Sequence, residues 1–276
     1  MPPLPFKLAA VDLDGTLLAK DKTISSENLR AIKRLEEAGL TIVIASGREH
    51  LNCLRYHHQL ELKSPVVSFQ GALVKHPLTG EVLLSLALDQ DLACEILEQS
   101  KLFETNVLYG SEKGVYATSR NKWTELYERV TGEAAHIIDS WDDHDAGDAI
   151  KIQWLDEPSR VYHMLERLEN RILRDCQVWS YDSIAIEFVR QGVTKATGVG
   201  AVAHNLGIKA SEVITFGDAE NDASMLSWAG LGMAMSHARD AAKEAADLIA
   251  PTGHPDTSLA RGIDLIFEKF AKSTAH

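Results

Sequence analysis

Residues 8–16 read Leu8-Ala9-Ala10-Val11-Asp12-Leu13-Asp14-Gly15-Thr16. The run 8–13 is short and mostly apolar, as a strand must be when a sheet buries it on both faces. Over 26–38 the spacing turns helical, with Leu29, Ile32 and Leu35 apolar, charges between them, and Gly39 as a C-terminal stop. Residues 41–45, Thr-Ile-Val-Ile-Ala, form a second apolar run. Strand, helix and strand within roughly 40 residues predict a βαβ unit, hence a right-handed crossover in a parallel sheet.

The rhythm returns towards the other end of the chain. Strands are expected over 184–189, 213–216, 231–235 and 248–250, with helices over 195–206, 237–246 and 258–270. The middle has longer polar connections: a hairpin at 111–114, a helix over 122–130, an acidic loop at 141–145, a strand over 149–154 and a helix over 158–173. The expected fold is α/β, a Rossmann-like parallel-sheet core made of residues 1–82 and 184–276. An α+β domain, residues 83–183, is inserted between the two halves.

At 276 residues, the chain has a soft prior of about two domains. Lys+Arg number 28 against 40 Asp+Glu, a net charge of −12, which disfavours broad non-specific nucleic-acid binding. Cys53, Cys94 and Cys176 are widely spaced and odd in number, so reduced thiols in a cytoplasmic protein are expected rather than a disulfide framework. The first residues carry one lysine and no long apolar segment, unlike a signal peptide. No run reaches the ~18 apolar residues of a membrane span. Neither a membrane nor a nucleic-acid partner is expected, and the oligomeric state is left open.

Asp12 and Asp14 stand at the C-terminal end of the first strand, where ligands bind in open α/β sheets. Two carboxylates two residues apart, before a Gly-Thr turn, can converge on a cation that eases their repulsion. A second acidic set, Gly217-Asp218-Ala219-Glu220-Asn221-Asp222, follows the strand at 213–216. Asp218 and Asp222, four apart, would share a face if a helix began there, and oxygen ligands of this kind suit octahedral Mg²⁺. Ser46-Gly47 follows the second strand, where a hydroxyl and backbone N–H groups can hold a phosphate oxygen. Lys195 follows the strand at 184–189 and supplies a fixed cation. Each alone has a bland reading as a turn or a solvated side chain; their shared position after predicted parallel strands aims them into one crevice.

Magnitudes select the chemistry. Acceleration of phosphate-monoester hydrolysis approaches ~10²¹, whereas general acid–base catalysis contributes only ~10²–10⁴. A carboxylate nucleophile that forms an aspartyl-phosphate divides the reaction into two easier steps, and a metal with a lysine offsets the transition-state charge. Asp12, first at the strand end, is the expected nucleophile. Asp14 is the expected acid and base, protonating the leaving oxygen and then activating water.

The segments DLDGT, ASGR, the Lys195 of GVTKATGV, and GDAENDASML, in that order, resemble the four motifs of the haloacid dehalogenase-like phosphatases. The long insert and GDxxNDxxML resemble the Cof-type sugar-phosphate phosphatases, which carry a large α/β cap. The resemblance implies a Rossmann-like core and Mg²⁺ dependence, with Asp12 as nucleophile and Asp14 as acid/base. It further implies metal held by Asp12, the Asp14 carbonyl and Asp218, with Asp222 in support, and phosphate contacted by Ser46, Gly47, Lys195 and Asn221. The implied substrate is a small phosphorylated metabolite, such as a sugar phosphate. A phosphomutase or a non-catalytic phosphometabolite-binding protein on the same core are the alternatives. Gln70-Gly71-Ala72 departs from the usual Asn-Gly-Ala, His237 from a common Asn, and 254–257 from an acidic Gly-containing turn; none is expected to touch a catalytic role.

Other signals are set aside. Gly198, Gly200 and Ala203 form a GxGxxA pattern, but the glycines fall inside a predicted helix rather than in a strand-to-helix turn. His57 and His58 are expected on a solvated helix face. Trp123, Trp141, Trp154 and Trp179 are expected to pack the inserted domain.

Overall fold

The structure, a computed structural model, describes residues 4–141, 148–168, 170–181 and 183–271. Most of the expected acidic loop, residues 142–145, therefore lies outside the described residues. The chain divides into two compact units. One comprises Met1–Arg48, Cys53–Leu84 and Thr194–His276, the other Glu49–Asn52 and Ser85–Val193.

The first unit is built on a five-stranded parallel sheet. Its order is Leu248–Ile249, Leu231–Ala234, Val213–Gly217, Leu8–Val11, Thr41–Ile44. The strand Leu8–Val11 is buried along its whole length, as its apolar run requires. The helix Ser26–Glu37 begins where the Ser25 side chain accepts from the Asn28 N–H, and it buries Asn28, Ala31, Ile32 and Leu35 on one stripe. That stripe shares a core with Leu259, Ile263 and Ile266 of the helix Ser258–Ala271. Burying each such aliphatic side chain contributes roughly 1.5–3 kcal/mol relative to leaving it exposed. An isolated bridge between Ala45 and Val67 sets a second, three-stranded sheet (Val66–Ser68, Leu73–Lys75, Val82–Ser85) beside the parallel one.

The second unit carries a six-stranded sheet in the order Cys176–Tyr181, Ala185–Arg190, Lys151–Leu155, Asn106–Ser111, Gly114–Ala117, His136–Ile137. Its pairs are antiparallel except the last. Trp154, fully buried, packs between the rings of Phe103 and Phe188. Trp123 and Trp141 are buried as expected, while Trp179 is half-buried.

Four sequence expectations are corrected. The strand at 184–189, read as part of the core, pairs antiparallel with Lys151–Leu155 and Cys176–Tyr181 in the second unit. A short apolar run buried on both faces has the same pattern in a parallel sheet and in the middle of a covered antiparallel one. The single helix expected over 158–173 is two, Pro158–Glu166 and Asn170–Asp175. The helix expected from 237 starts only at Asp240. His57 is buried rather than solvated, its Nε2 2.9 Å from the Ser64 carbonyl, and burial pulls its pKa below the usual histidine value.

Candidate active site

Sheet order assembles the site. The chain passes from Leu8–Val11 to Thr41–Ile44 on one side and later returns as Val213–Gly217 on the other, so the order reverses at the first strand. Loops at such a switch point leave the strand ends in opposite directions and open a crevice. Asp12, with its N–H on the Phe216 carbonyl at 3.0 Å, stands beside the loop that carries Asp218. Ser46 leaves the neighbouring strand through Ala45, whose N–H donates to the Val11 carbonyl at 3.0 Å.

The centre is a buried ionic bridge. Lys195 Nζ donates to Asp12 Oδ1 at 2.5 Å and to Asp222 Oδ1 at 2.6 Å. Burial disfavours the ammonium, but the two carboxylates outweigh it and raise its pKa above the ordinary lysine value. Lys195 reaches this position from the first turn of the helix Lys195–Asn205, capped by the Thr194 side chain, and not from a core strand. Asp222 does not share a helical face with Asp218, because the helix Ala223–Trp228 starts only after it. Its Oδ2 instead accepts from the Asp218 and Ala219 N–H groups at 2.8 and 3.0 Å, folding the loop back on itself. Gly217 leaves the space this needs: a Cβ there would lie 2.4 Å from Asp222 Cβ.

Asp12, Asp218 and Asp222 each present a carboxylate oxygen within 4.8 Å of the others. Burial and then the charge of Asp222 push Asp12 well above the usual carboxylate range, and the same two causes raise Asp218 to about 7, Lys195 opposing in both cases. Carboxylates so crowded are relieved by a hard divalent cation, so the donor set fits Mg²⁺ on Asp12 and Asp218. Asp222, already engaged by Lys195 and two peptides, supports them. Thr16 Oγ1 donates to Asp218 Oδ1 at 3.3 Å, and Gly15, at φ +82°, would bring any Cβ to 2.2 Å from Asp218 Oδ2.

Asp14 turns elsewhere. Its carboxylate accepts from Arg48 Nε and Nη2 at 2.6 and 2.7 Å and from Lys22 Nζ at 2.6 Å. Partial burial would raise its pKa, but Arg48 first and Lys22 second bring it down to about 2. Asp14 is thus held in its ionised, carboxylate form.

Ser46, Gly47 and Asn221 are joined through the turn at Gln70. Ser46, buried, accepts at Oγ from the Arg48 N–H at 3.2 Å, and its carbonyl accepts from the Gln70 N–H at 3.2 Å. Gln70 Oε1 accepts from Asn221 Nδ2 at 2.9 Å, and Gln70 Nε2 would lie 2.4 Å from a Cβ on Gly47. His237, outside any helix, sets Nε2 2.8 Å from the Gly15 carbonyl. Both departures thus contact residues of the motifs, Gln70 at Asn221 and His237 at Gly15. Only Gly71 hinted at an unusual backbone near Gln70, and nothing in the sequence pointed to Lys22 or His237 as contacts.

A family profile described as haloacid dehalogenase-like hydrolase matches residues 9–263. The 5-amino-6-(5-phospho-D-ribitylamino)uracil phosphatase YitU of Bacillus subtilis is 31% identical over 267 residues, covering 90% of this chain and 93% of its own. A second Bacillus subtilis phosphatase of the same description, YcsE, is 29% identical over 264 residues, with 91% and 92% covered. Among solved structures, a haloacid dehalogenase-like hydrolase from Bacteroides thetaiotaomicron superposes with a TM-score of 0.86 at 25% identity, over 95% of this chain and 100% of that one.

Proposed function

The chain belongs to the haloacid dehalogenase-like hydrolases, and from that premise we propose a Mg²⁺-dependent phosphatase of small phosphorylated metabolites that works through an aspartyl-phosphate on Asp12. The observation that carries the reading is the Lys195 bridge, which holds the Asp12 carboxylate in a buried, water-poor position with Asp218 beside it.

Asp12 attacks phosphorus, the bond to the ester oxygen breaks, and that oxygen leaves with a proton from Asp14. Asp14 then takes a proton from water as the water attacks the phosphoryl group, releasing inorganic phosphate and restoring Asp12. The second step needs the carboxylate form of Asp14, which Arg48 and Lys22 hold; the first needs Asp14 to part from them and carry a proton. Ser46, Gly47 and Asn221 receive the phosphoryl oxygens, and Lys195 balances their charge. When bound, Mg²⁺ neutralises charge developing on the transferred group. We assign the choice of substrate to the inserted unit, which runs past the expected residue 183 to Val193.

The names of the two Bacillus relatives put phosphorylated ribityl compounds, and sugar phosphates with them, first in a substrate screen. The test is phosphate release from a panel of ribityl, sugar, nucleotide and cofactor phosphates, with and without EDTA. Activity should vanish with EDTA, and Asp12→Asn should lower kcat on the order of 10⁴-fold or more while the protein still melts cooperatively. An Asp12→Asn enzyme with near-normal turnover would remove Asp12 from the role of nucleophile. Isomerisation of a hexose phosphate without phosphate release would indicate a mutase.

A further inference from the structure

Gln70 has a backbone whose conformation the mechanism above does not explain. Phe69 and Gln70 are consecutive non-glycine residues at positive φ, +51° and +61°, followed by Gly71 at +100°. Left-handed backbone is costly for L-residues and persists where surrounding contacts over-determine it, commonly at functional sites. Here the turn is tied down by the Phe69 N–H on the Arg48 carbonyl at 2.8 Å and the Gln70 N–H on the Ser46 carbonyl. Gly71 lies so close to the next motif that a Cβ would sit 2.0 Å from the Thr194 carbonyl oxygen, one residue before Lys195.

The strained turn thus joins three of the four motifs and carries a buried carboxamide between two of them. Its Oε1 takes one Asn221 amide proton, which fixes the rotation of the Asn221 side chain, and its Nε2 covers Gly47. A purely space-filling residue would not need to be polar, and it would not need this backbone. We propose that Gln70 is a positioning residue of the phosphate pocket: it orients Asn221 and the Gly47 peptide towards the phosphoryl oxygens, so it sets phosphate affinity rather than fold stability. This rests on the phosphatase reading only in taking the pocket's ligand to be a phosphoryl group.

The test variant is Gln70→Gly, which deletes the carboxamide while glycine adopts φ near +60° without strain. Inorganic phosphate is titrated calorimetrically in Mg²⁺ buffer, alongside KM and kcat on an aryl phosphate and the melting temperature. The phosphate Kd and the KM should rise together about tenfold, the size of one lost buried hydrogen bond to a polar ligand, with a smaller change in kcat and an unchanged or higher Tm. Gln70→Asn, uncharged and tolerant of positive φ but one methylene short of Asn221, should raise the phosphate Kd in the same direction; it also serves if the glycine variant does not fold. A phosphate Kd within about twofold of wild type in both variants overturns the proposal, as does a lowered Tm with unaltered Kd. A wild type that binds phosphate but does not turn over would end the phosphatase reading alone, since the titration decides Gln70 without catalysis.

Discussion

A charged amine with almost no solvent access, such as Lys195, survives only where opposite charges replace its water. Asp12 and Asp222 do this from either side. They differ in what else they hold: Asp222 spends its second oxygen on two peptide N–H groups, whereas Asp12 forms no such turn. Removing Asp222 therefore leaves a half-paired buried ammonium and two unsatisfied N–H groups. Asp222→Ala should destabilise the fold by about 3–5 kcal/mol, which in a protein of this size lowers Tm by roughly 5–9 °C. A melting temperature within about 2 °C of wild type would contradict this account of the bridge.

At the scale of elements, the helix Lys195–Asn205 must approach the turn at Gln70 closely enough to place its first residue on Asp12. Gly198 allows that approach: a Cβ there would lie 2.3 Å from Val67 Cγ1 and 3.0 Å from Gly71 Cα. Gly200, two residues on, would meet only Trp228 at 3.5 Å. Glycine to alanine in a helix interior is worth up to about 1 kcal/mol in propensity, while overpacking costs typically 1–3 kcal/mol. Gly200→Ala should then raise Tm slightly, and Gly198→Ala should lower it and raise KM by displacing residues 69–71. Equal effects of the two substitutions in a melting experiment would show that helix propensity, not the packing at Val67, governs this helix.

For the whole molecule, the acidic cluster makes stability depend on pH and on the metal. Asp218, raised to about 7 by burial and then by Asp222, binds its proton more tightly in the folded chain than in the unfolded one, and Asp12 does likewise. The resulting penalty on metal-free protein is absent below the unfolded pKa near 3.8. It grows as pH rises and, for Asp218, is complete above about pH 7. A cation that binds the ionised carboxylates removes it. The Mg²⁺-induced rise in Tm should therefore increase between about pH 5 and pH 8, and Asp218→Asn should flatten that trend. A Mg²⁺ effect that shrinks with rising pH would show that these carboxylates do not bind the metal. No helix among the described residues is long and apolar enough to cross a membrane.

Much of this was legible beforehand because it depends on short-range pattern. The apolar runs at 8–13, 41–45 and 213–216 specify strands by burial alone, and Asp12, Ser46 and Asp218 are recognisable because each stands at or just past the end of one. Where pattern is degenerate, reading fails. The run before Lys195 is as apolar as a core strand, and only its antiparallel pairing with Cys176–Tyr181 and Lys151–Leu155 assigns it to the other sheet. The sequence by itself determined which residues can ionise, coordinate or attack, since side-chain chemistry and local periodicity are carried by the chain. Only the tertiary structure decided which partner each one meets: that Asp14 faces Arg48, that Asp222 holds Lys195, and that Gln70 joins Asn221 across 151 residues. Such contacts depend on distances between strand ends and on the left-handed turn that delivers Gln70, and neither leaves a periodic trace in the order of amino acids.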